Sequence, residues 1–256
     1  MKIIGKTDVG MRRRGNQDAF SVIERNGYSL AVVCDGVGGS NGGEIASDTA
    51  IAVFRNSVKS SLDGLGNEPL EAAFAEDILS QAVSEANAEV FRKSQEDPDL
   101  EGMATTLVAA LVAPNAVYAV NIGDSRMYAV SGGVLRQITV DHSFIQYLLD
   151  KQLIRPEEAK THPNRNIILK SIGNTEDAQP DFFRLDRGSF DQLLLCTDGL
   201  YNTVTPAELL SVATGAYAGK RKPPSVRKRV SEFIRLANSR GGPDNITALL
   251  VCEDGK

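Results

Sequence analysis

Four aspartates in this chain stand where an apolar run meets a glycine-containing turn. Asp35 follows SLAVVC and precedes Gly36, Asp124 follows AVYAVNI and Gly123, Asp198 follows LLLCT and precedes Gly199, and Asp244 lies in GGPDN ahead of ITALLVC. If those runs are buried strands stacked side by side, the four carboxylates converge. Converging carboxylates repel, which raises their pKa values unless cations neutralise them. An all-oxygen ligand set selects hard ions such as Mg²⁺ or Mn²⁺ over zinc. A cluster of this kind beside backbone carbonyls suits two-metal hydrolysis of phosphoryl groups. Taken singly, each Asp also reads as a turn residue ending a strand; it is the recurrence that points to chemistry.

Competing chemistries fail on residue type or spacing. The chain has two histidines, His142 and His162, and no CxxC pair, so a zinc site is disfavoured. A cysteine phosphatase needs Arg six residues after its nucleophile, yet Ser40 follows Cys34 at that distance and Asn202 follows Cys196. Neither a GxSxG elbow nor a GxxxxGK[ST] loop is present. The triplet Arg12 to Arg14 reads either as a solvated corner or as an anion site.

The elements that must hold these residues follow from periodicity. Short strands are predicted over 3–9 and 19–23, and a strand covered on both faces over 29–34. From Gly43 the period becomes helical, with Ala46, Ala50, Val53, Phe54 and Val58 on one face. A second helix covers roughly 70–93 through Leu79, Val83, Ala86 and Val90. Strands over 105–112, 116–122, 126–130 and 134–138 are separated by Pro114-Asn115, Gly123-Asp124 and Gly132-Gly133, connections short enough to predict antiparallel neighbours throughout. Asp141 follows the last of these. Residues 143–180 read as an excursion from the sheet, with one helix started by Pro156. Thr205-Pro206-Ala207-Glu208 is a capping box with Pro at the first helical position. In the helix over 225–238, Arg227, Lys228, Arg229 and Arg235 read as a solvated face.

Composition bounds the class. At 256 residues with no Pro/Gly/Ser-rich linker, the chain is expected to form a single domain with a sizeable core. A net charge of −5 disfavours nucleic acid as the main partner. Cys34, Cys196 and Cys252 lie in or beside apolar runs and are expected to be buried free thiols. The first residues, MKIIGKTDVGMRRRGNQD, contain no signal-peptide core, which predicts a cytoplasmic protein. Residues 102–123 are uncharged, but Pro114-Asn115 interrupts them, so two strands are expected there and no membrane helix.

In chain order the motifs are R-x-x-N-Q-D (Arg13 to Asp18), D-G-V-G-G (Asp35 to Gly39), A-T-T-L (Ala104 to Leu107), N-I-G-D-S-R (Asn121 to Arg126), D-H-S (Asp141 to Ser143), T-D-G-L (Thr197 to Leu200) and G-x-D-N (Gly242 to Asn245). Each is weak alone. Together, from about Asp8 to Val251, they resemble the metal-dependent Ser/Thr protein phosphatases of type 2C, as a bacterial-type member.

The resemblance implies an α+β fold: a four-layer sandwich of two packed antiparallel sheets flanked by helices, with metals in a cleft at one end. It implies that Asp35 bridges two Mn²⁺ or Mg²⁺ ions, that the carbonyl of Gly36 binds the second, and that Asp198 and Asp244 complete the first. Asp18 matches an outer-shell acid that orients water, Asn245 stands beside the ligands, and Arg13 matches the group gripping the substrate phosphate. Asp124, with Asp198, matches a weaker third site. The implied reaction is direct hydrolysis of phosphoserine and phosphothreonine by hydroxide held between the two ions, about 3.5–4 Å apart. Residues 143–180 match a flap beside the cleft. Implied partners are phosphoproteins and a Ser/Thr kinase whose work the enzyme reverses; a monomer is expected.

Two positions depart from the pattern. Val37 replaces the His that many eukaryotic members carry, so a metal-bound water must protonate the leaving group, and Gln17 replaces a Glu. The rival readings are a non-catalytic phosphoprotein-binding module on the same fold, and a two-metal nuclease or small-phosphoester hydrolase.

Overall fold

Two β-sheets pack face to face, and each is also covered on its outer face, which is why so many strands read as unbroken apolar runs. The computed structural model describes residues 1–38, 42–65, 70–219 and 222–253; Gly39 of the D-G-V-G-G motif lies outside them. The chain begins with β1 (Lys2–Asp8), β2 (Asp18–Arg25) and β3 (Tyr28–Val37), then helices α1 (Gly42–Gly64) and α2 (Ala72–Glu96). Five strands follow: β4 (Ala104–Thr105), β5 (Leu107–Val112), β6 (Ala116–Ile122), β7 (Arg126–Ser131) and β8 (Val134–Gln137). After α3 (Phe144–Asp150) and α4 (Pro156–Ala159) come β9 (Asp181–Asp186), β10 (Gln192–Cys196), α5 (Asp198–Tyr201), α6 (Pro206–Thr214), α7 (Val226–Ser239) and β11 (Ile246–Cys252).

One sheet has the order β1-β11-β10-β7-β8 and the other β2-β3-β5-β6-β9, with β4 paired to β3; all pairs are antiparallel. Alternation divides each strand between two cores. Val33, Val108, Ala110, Met127, Leu195 and Leu249 meet between the sheets. Leu30, Val32 and Leu111 point the other way, onto Phe54 and Val58 of α1 and Leu79 and Val83 of α2. Leu194 and Leu250 face Val230 and Phe233 of α7. The four layers are thus helices, sheet, sheet, helices, as expected of the α+β sandwich. Each fully buried large side chain such as Phe54 or Phe233 contributes on the order of 1.5–3 kcal/mol.

Three expectations need correction. The short Gly123-Asp124 connection does not join hydrogen-bonded neighbours, because β6 lies in one sheet and β7 in the other. The acids therefore converge from two facing sheets, Asp18 and Asp35 on the β2–β3 pair and Asp198 and Asp244 at the ends of the neighbouring β10 and β11, and not from a single row of strands. The strand expected over 105–112 breaks at Thr106, which separates β4 from β5. Arg229 does not join the solvated face of α7: it is buried, its guanidinium donates to the carbonyl of Ala213 at the end of α6, and it lies 3.5 Å from Cys252 Sγ.

Residues 143–180 leave the sheets between β8 and β9; the isolated bridge Thr105↔Ile172 ties them to β4, and Ser143↔Ile168 closes the excursion on itself. At α6, Pro206 occupies the first turn and Thr205 N donates to Glu208 Oε2 at 3.0 Å, the interaction that the capping box predicts. Residues 102–123 are strands and turns, and no described helix is long and apolar enough to cross a membrane. The three cysteines are free and buried.

Candidate metal centre

The expected acids meet where the ends of β2, β3 and β6 in one sheet approach the ends of β10 and β11 in the other. Asp18 and Asp35 are paired residues of the β2–β3 ladder. Asp18 is 6% exposed. Its Oδ2 accepts from Thr197 Oγ1 at 2.8 Å and from Thr247 Oγ1 at 2.7 Å, so hydroxyls from the second sheet hold an acid of the first. Its Oδ1 is buried and has no hydrogen-bond partner among the described residues.

The Asp35 peptide is gripped at both ends by the A-T-T-L segment. Its N–H donates to Thr106 Oγ1 at 2.9 Å, and its carbonyl accepts from Thr106 N and from Thr105 Oγ1, each at 2.9 Å. Thr106 Oγ1 lies 2.7 Å from Ser125 Oγ, which ties this clamp to the residue after Asp124. Gly36 is needed where it is: a Cβ there would lie 2.0 Å from the carbonyl oxygen of Gly43 and 2.8 Å from that of Gln17. At Gly199 a Cβ would lie 1.9 Å from the carbonyl oxygen of Asn245, so only glycine lets the start of α5 pass the start of β11.

Asp198 opens α5 and Asp244 closes the turn before β11. Arg13 spans Asp244 by a two-point ion pair, Nε to Oδ1 at 2.8 Å and Nη2 to Oδ2 at 2.9 Å. Asn245 staples the loop that carries Arg13: its Oδ1 accepts from Gln17 N at 2.8 Å, and its Nδ2 donates to the carbonyls of Val9 at 2.9 Å and Gly15 at 3.0 Å. Asp141, which follows the same acid-after-strand pattern, does not join the cluster. Arg126 holds it in a two-point pair, Nη2 to Oδ2 at 2.6 Å and Nε to Oδ1 at 2.9 Å.

Burial pushes Asp18 up to about 7, an effect partly offset by its two threonine hydroxyls and reinforced by Asp198 and Asp244. Asp124 rises to about 7 by burial and the charges of Asp198 and Asp141, and Asp198 to about 6 by burial and Asp244. Asp35 is raised well above the usual carboxylate range, through burial and then the charges of Asp18, Asp198, Asp124 and Asp244. Arg13 is raised by its hydrogen bond to Asp244. The site therefore holds more negative charge than its cations balance.

That excess, the oxygen-only donor set and the unpartnered Asp18 Oδ1 fit hard divalent cations. Among the described residues no three acids close on one point as a ready-made cage. His142 is committed elsewhere: its Nδ1 accepts from Gly123 N at 3.2 Å and its Nε2 lies 3.1 Å from Asp181 Oδ2. Burial drives the thiol pKa values of Cys34 and Cys196 upward, which leaves neither as a thiolate ligand.

The pattern of the protein phosphatase 2C family matches residues 12–250. The chain belongs to that family. It is 37% identical over 250 residues to the serine/threonine phosphatase stp of Listeria monocytogenes, covering 97% of this chain and 94% of that one. The serine/threonine phosphatase Stp1 from Staphylococcus aureus has a similar structure, with a TM-score of 0.87, 33% identity and coverage of 99% and 95%. The catalytic domain of the serine/threonine protein phosphatase PstP, whose structure contains two manganese ions, superposes with a TM-score of 0.81 at 32% identity, covering 97% and 96%.

Within this phosphatase the sequence pattern named the acids, Arg13 and Asn245 that the fold brings together, but not the residues that contact them. Thr105, Thr106, Thr197, Thr247 and Ser125 contact their partners through hydroxyls that carry no periodic signal; the motifs containing four of them were the available clue. Val37, where many eukaryotic members carry His, is 44% exposed and offers no titratable group.

Proposed function

We propose that this 2C phosphatase hydrolyses phosphoserine and phosphothreonine esters on proteins, using Asp35, the Gly36 carbonyl, Asp198 and Asp244 to hold two divalent cations, and Asp124 with Asp198 to hold a weaker third. Bound there, Mn²⁺ or Mg²⁺ supplies a water acidic enough to attack phosphorus near neutral pH and charge to offset the phosphoryl oxygens. Asp18, fixed through Oδ2, presents Oδ1 as the acceptor that orients the attacking water. Arg13, already arranged for two-point contact with a carboxylate, grips the phosphoryl oxygens in the same manner. Val37 has no proton to give, so the leaving oxygen takes its proton from water.

What carries the reading is Asp18: a buried acid paired in register with another acid, with one oxygen anchored and the other left unpartnered. In the same reading the chain acts as one domain and as a monomer, in the cytoplasm, against a Ser/Thr kinase, and residues 143–180 select among phosphoproteins. The test is turnover of a phosphothreonine peptide by purified protein with Mn²⁺, with Mg²⁺ and after exhaustive chelation. Activity is expected only with metal and is lost in Asp35→Asn. Full turnover after chelation overturns the reading, and tight phosphopeptide binding without turnover replaces it with a binding module.

A further inference from the structure

Two residues outside the acid cluster tie Asp124 to Asp198. Tyr201 ends α5, one helical turn after Asp198, and its hydroxyl donates to the carbonyl oxygen of Asp124 at 2.9 Å. The ring of Tyr201 is held in turn by Arg126, whose guanidinium carbon lies 3.7 Å from the ring centroid. Arg126 is itself fixed by its two-point pair with buried Asp141, by Tyr128 Oη at 3.1 Å, and through Asp141 by Gln137 Nε2 at 3.1 Å. Arg126 also begins β7, two residues after Asp124.

These contacts form a closed frame. The crossover that carries Asp124 leaves one sheet, Arg126 enters the other, and Tyr201 returns to the Asp124 carbonyl from the helix that Asp198 starts. Without the frame, the crossover would be anchored near Asp124 by Ser125 to Thr106 and by the Gly123–His142 backbone pair, neither of which touches α5. We infer that Tyr201 and Arg126 are positioning residues that set the separation of Asp124 and Asp198, and with it the strength of the weaker third cation site. The inference rests on the proposed reading of Asp124 and Asp198 as ligands of that ion. A cation stacked on an aromatic face and a charge-assisted two-point pair are both stiff restraints, suited to holding a carboxylate pair at one spacing.

The experiment is a calorimetric titration of the full chain with Mn²⁺ for wild type, Tyr201→Phe, Arg126→Lys and Asp124→Asn, with melting temperatures and turnover at limiting and saturating Mn²⁺. Wild type is expected to bind two ions tightly and one weakly. Tyr201→Phe, which keeps the ring and removes the hydrogen bond, should leave the tight pair unchanged and weaken the third ion about fivefold. Its turnover should fall at limiting Mn²⁺ and recover at saturation. Arg126→Lys keeps the charge but loses the fork, and should weaken the third ion at least as much. If Asp124→Asn loses the third ion while Tyr201→Phe and Arg126→Lys bind it as wild type does, the frame plays no such role. Affinities of all three ions falling together with melting temperature would reduce the frame to general stability and overturn the inference. If wild type binds no third ion, or Asp124→Asn keeps it, the underlying ligand reading fails instead.

Discussion

Asp18 and Asp35 stand directly opposite each other in the β2–β3 ladder, two acids where a ladder ordinarily places opposite charges or apolar partners. Like charges facing across strands destabilise, and burial raises the cost. Such a pair is tolerable when protons or metal ions neutralise it, so the metal-free fold should carry the signature of the repulsion.

The sign of that signature follows from linkage. The folded pKa of Asp18 is about 7 against 3.8 for an ordinary Asp, and Asp35, Asp124 and Asp198 are raised as well. The folded state therefore binds these protons more tightly than the unfolded state, so the contribution of these acids to stability is fully present below about 3.8 and is lost as pH rises towards 7. In EDTA, Asp35→Asn should raise the melting temperature at about pH 8 by several degrees and by much less at about pH 5. With Mn²⁺ bound the order should reverse, wild type being the more stable. Equal effects at both pH values in EDTA would show that the acids do not repel.

Arg13 is paired with Asp244 in this structure, so the group proposed to grip phosphate is also a counter-ion of a proposed metal ligand. The pair is half exposed, with side-chain exposures of 51% and 34%, and its net worth is bounded at roughly 1 kcal/mol. Arg13→Ala should then strengthen Mn²⁺ binding by no more than about fivefold, since one competitor for Asp244 is removed. Turnover should nevertheless fall by an amount equivalent to roughly 2 to 4 kcal/mol, the loss of a charge-stabilising donor. Arg12→Ala and Arg14→Ala should lose far less. Calorimetry beside steady-state kinetics checks both halves, and equal losses at all three arginines would replace a phosphate grip with a diffuse basic patch.

The parts of this molecule legible in its sequence are those governed by short-range pattern. Tyr28 to Cys34 reads as a strand because both faces of its sheet are covered, and α1 reads as a helix because one stripe faces Leu30 and Val32. Asp35, Asp198 and Asp244 were visible because acid and glycine or asparagine adjoin at the ends of such runs. What pattern does not carry is which sheet a strand joins. Gly123-Asp124 has the length of a hairpin turn, yet the chain there passes between sheets, a choice made by long-range packing: Val120 of β6 faces the α1/α2 side, whereas Val130 of β7 faces the α7 side. Arg229 was misplaced for a related reason: helical periodicity groups it with charged neighbours, but the open carbonyl of Ala213 at the end of α6 gives it a buried partner. Hydroxyl contacts such as Thr247 to Asp18 join residues 229 positions apart and leave no local mark.

Thr106 is the residue on which this distinction can be tested, because it is the break between β4 and β5 that strand propensity alone would have filled. Its hydroxyl accepts the Asp35 N–H and meets Ser125, so Thr106→Val keeps the shape and removes both contacts. A buried donor left unsatisfied costs about 1 to 3 kcal/mol, and valine favours the strand geometry that the break interrupts. Thr106→Val should therefore lower both melting temperature and Mn²⁺ affinity, the latter because the Asp35 carboxylate is no longer fixed from both sides of its peptide. Thr106→Ser keeps the hydroxyl and should restore metal affinity even if the lost methyl group leaves the melting temperature below wild type. Separation of the two readouts in the serine variant would assign the hydroxyl to Asp35 and the methyl to packing against Gly123, where any Cβ would lie 2.6 Å from the Thr106 side chain. If Thr106→Val binds Mn²⁺ as wild type does and only melts earlier, the Asp35 peptide is held well enough by Thr105 and the Thr106 backbone N–H, and the clamp is redundant for the site.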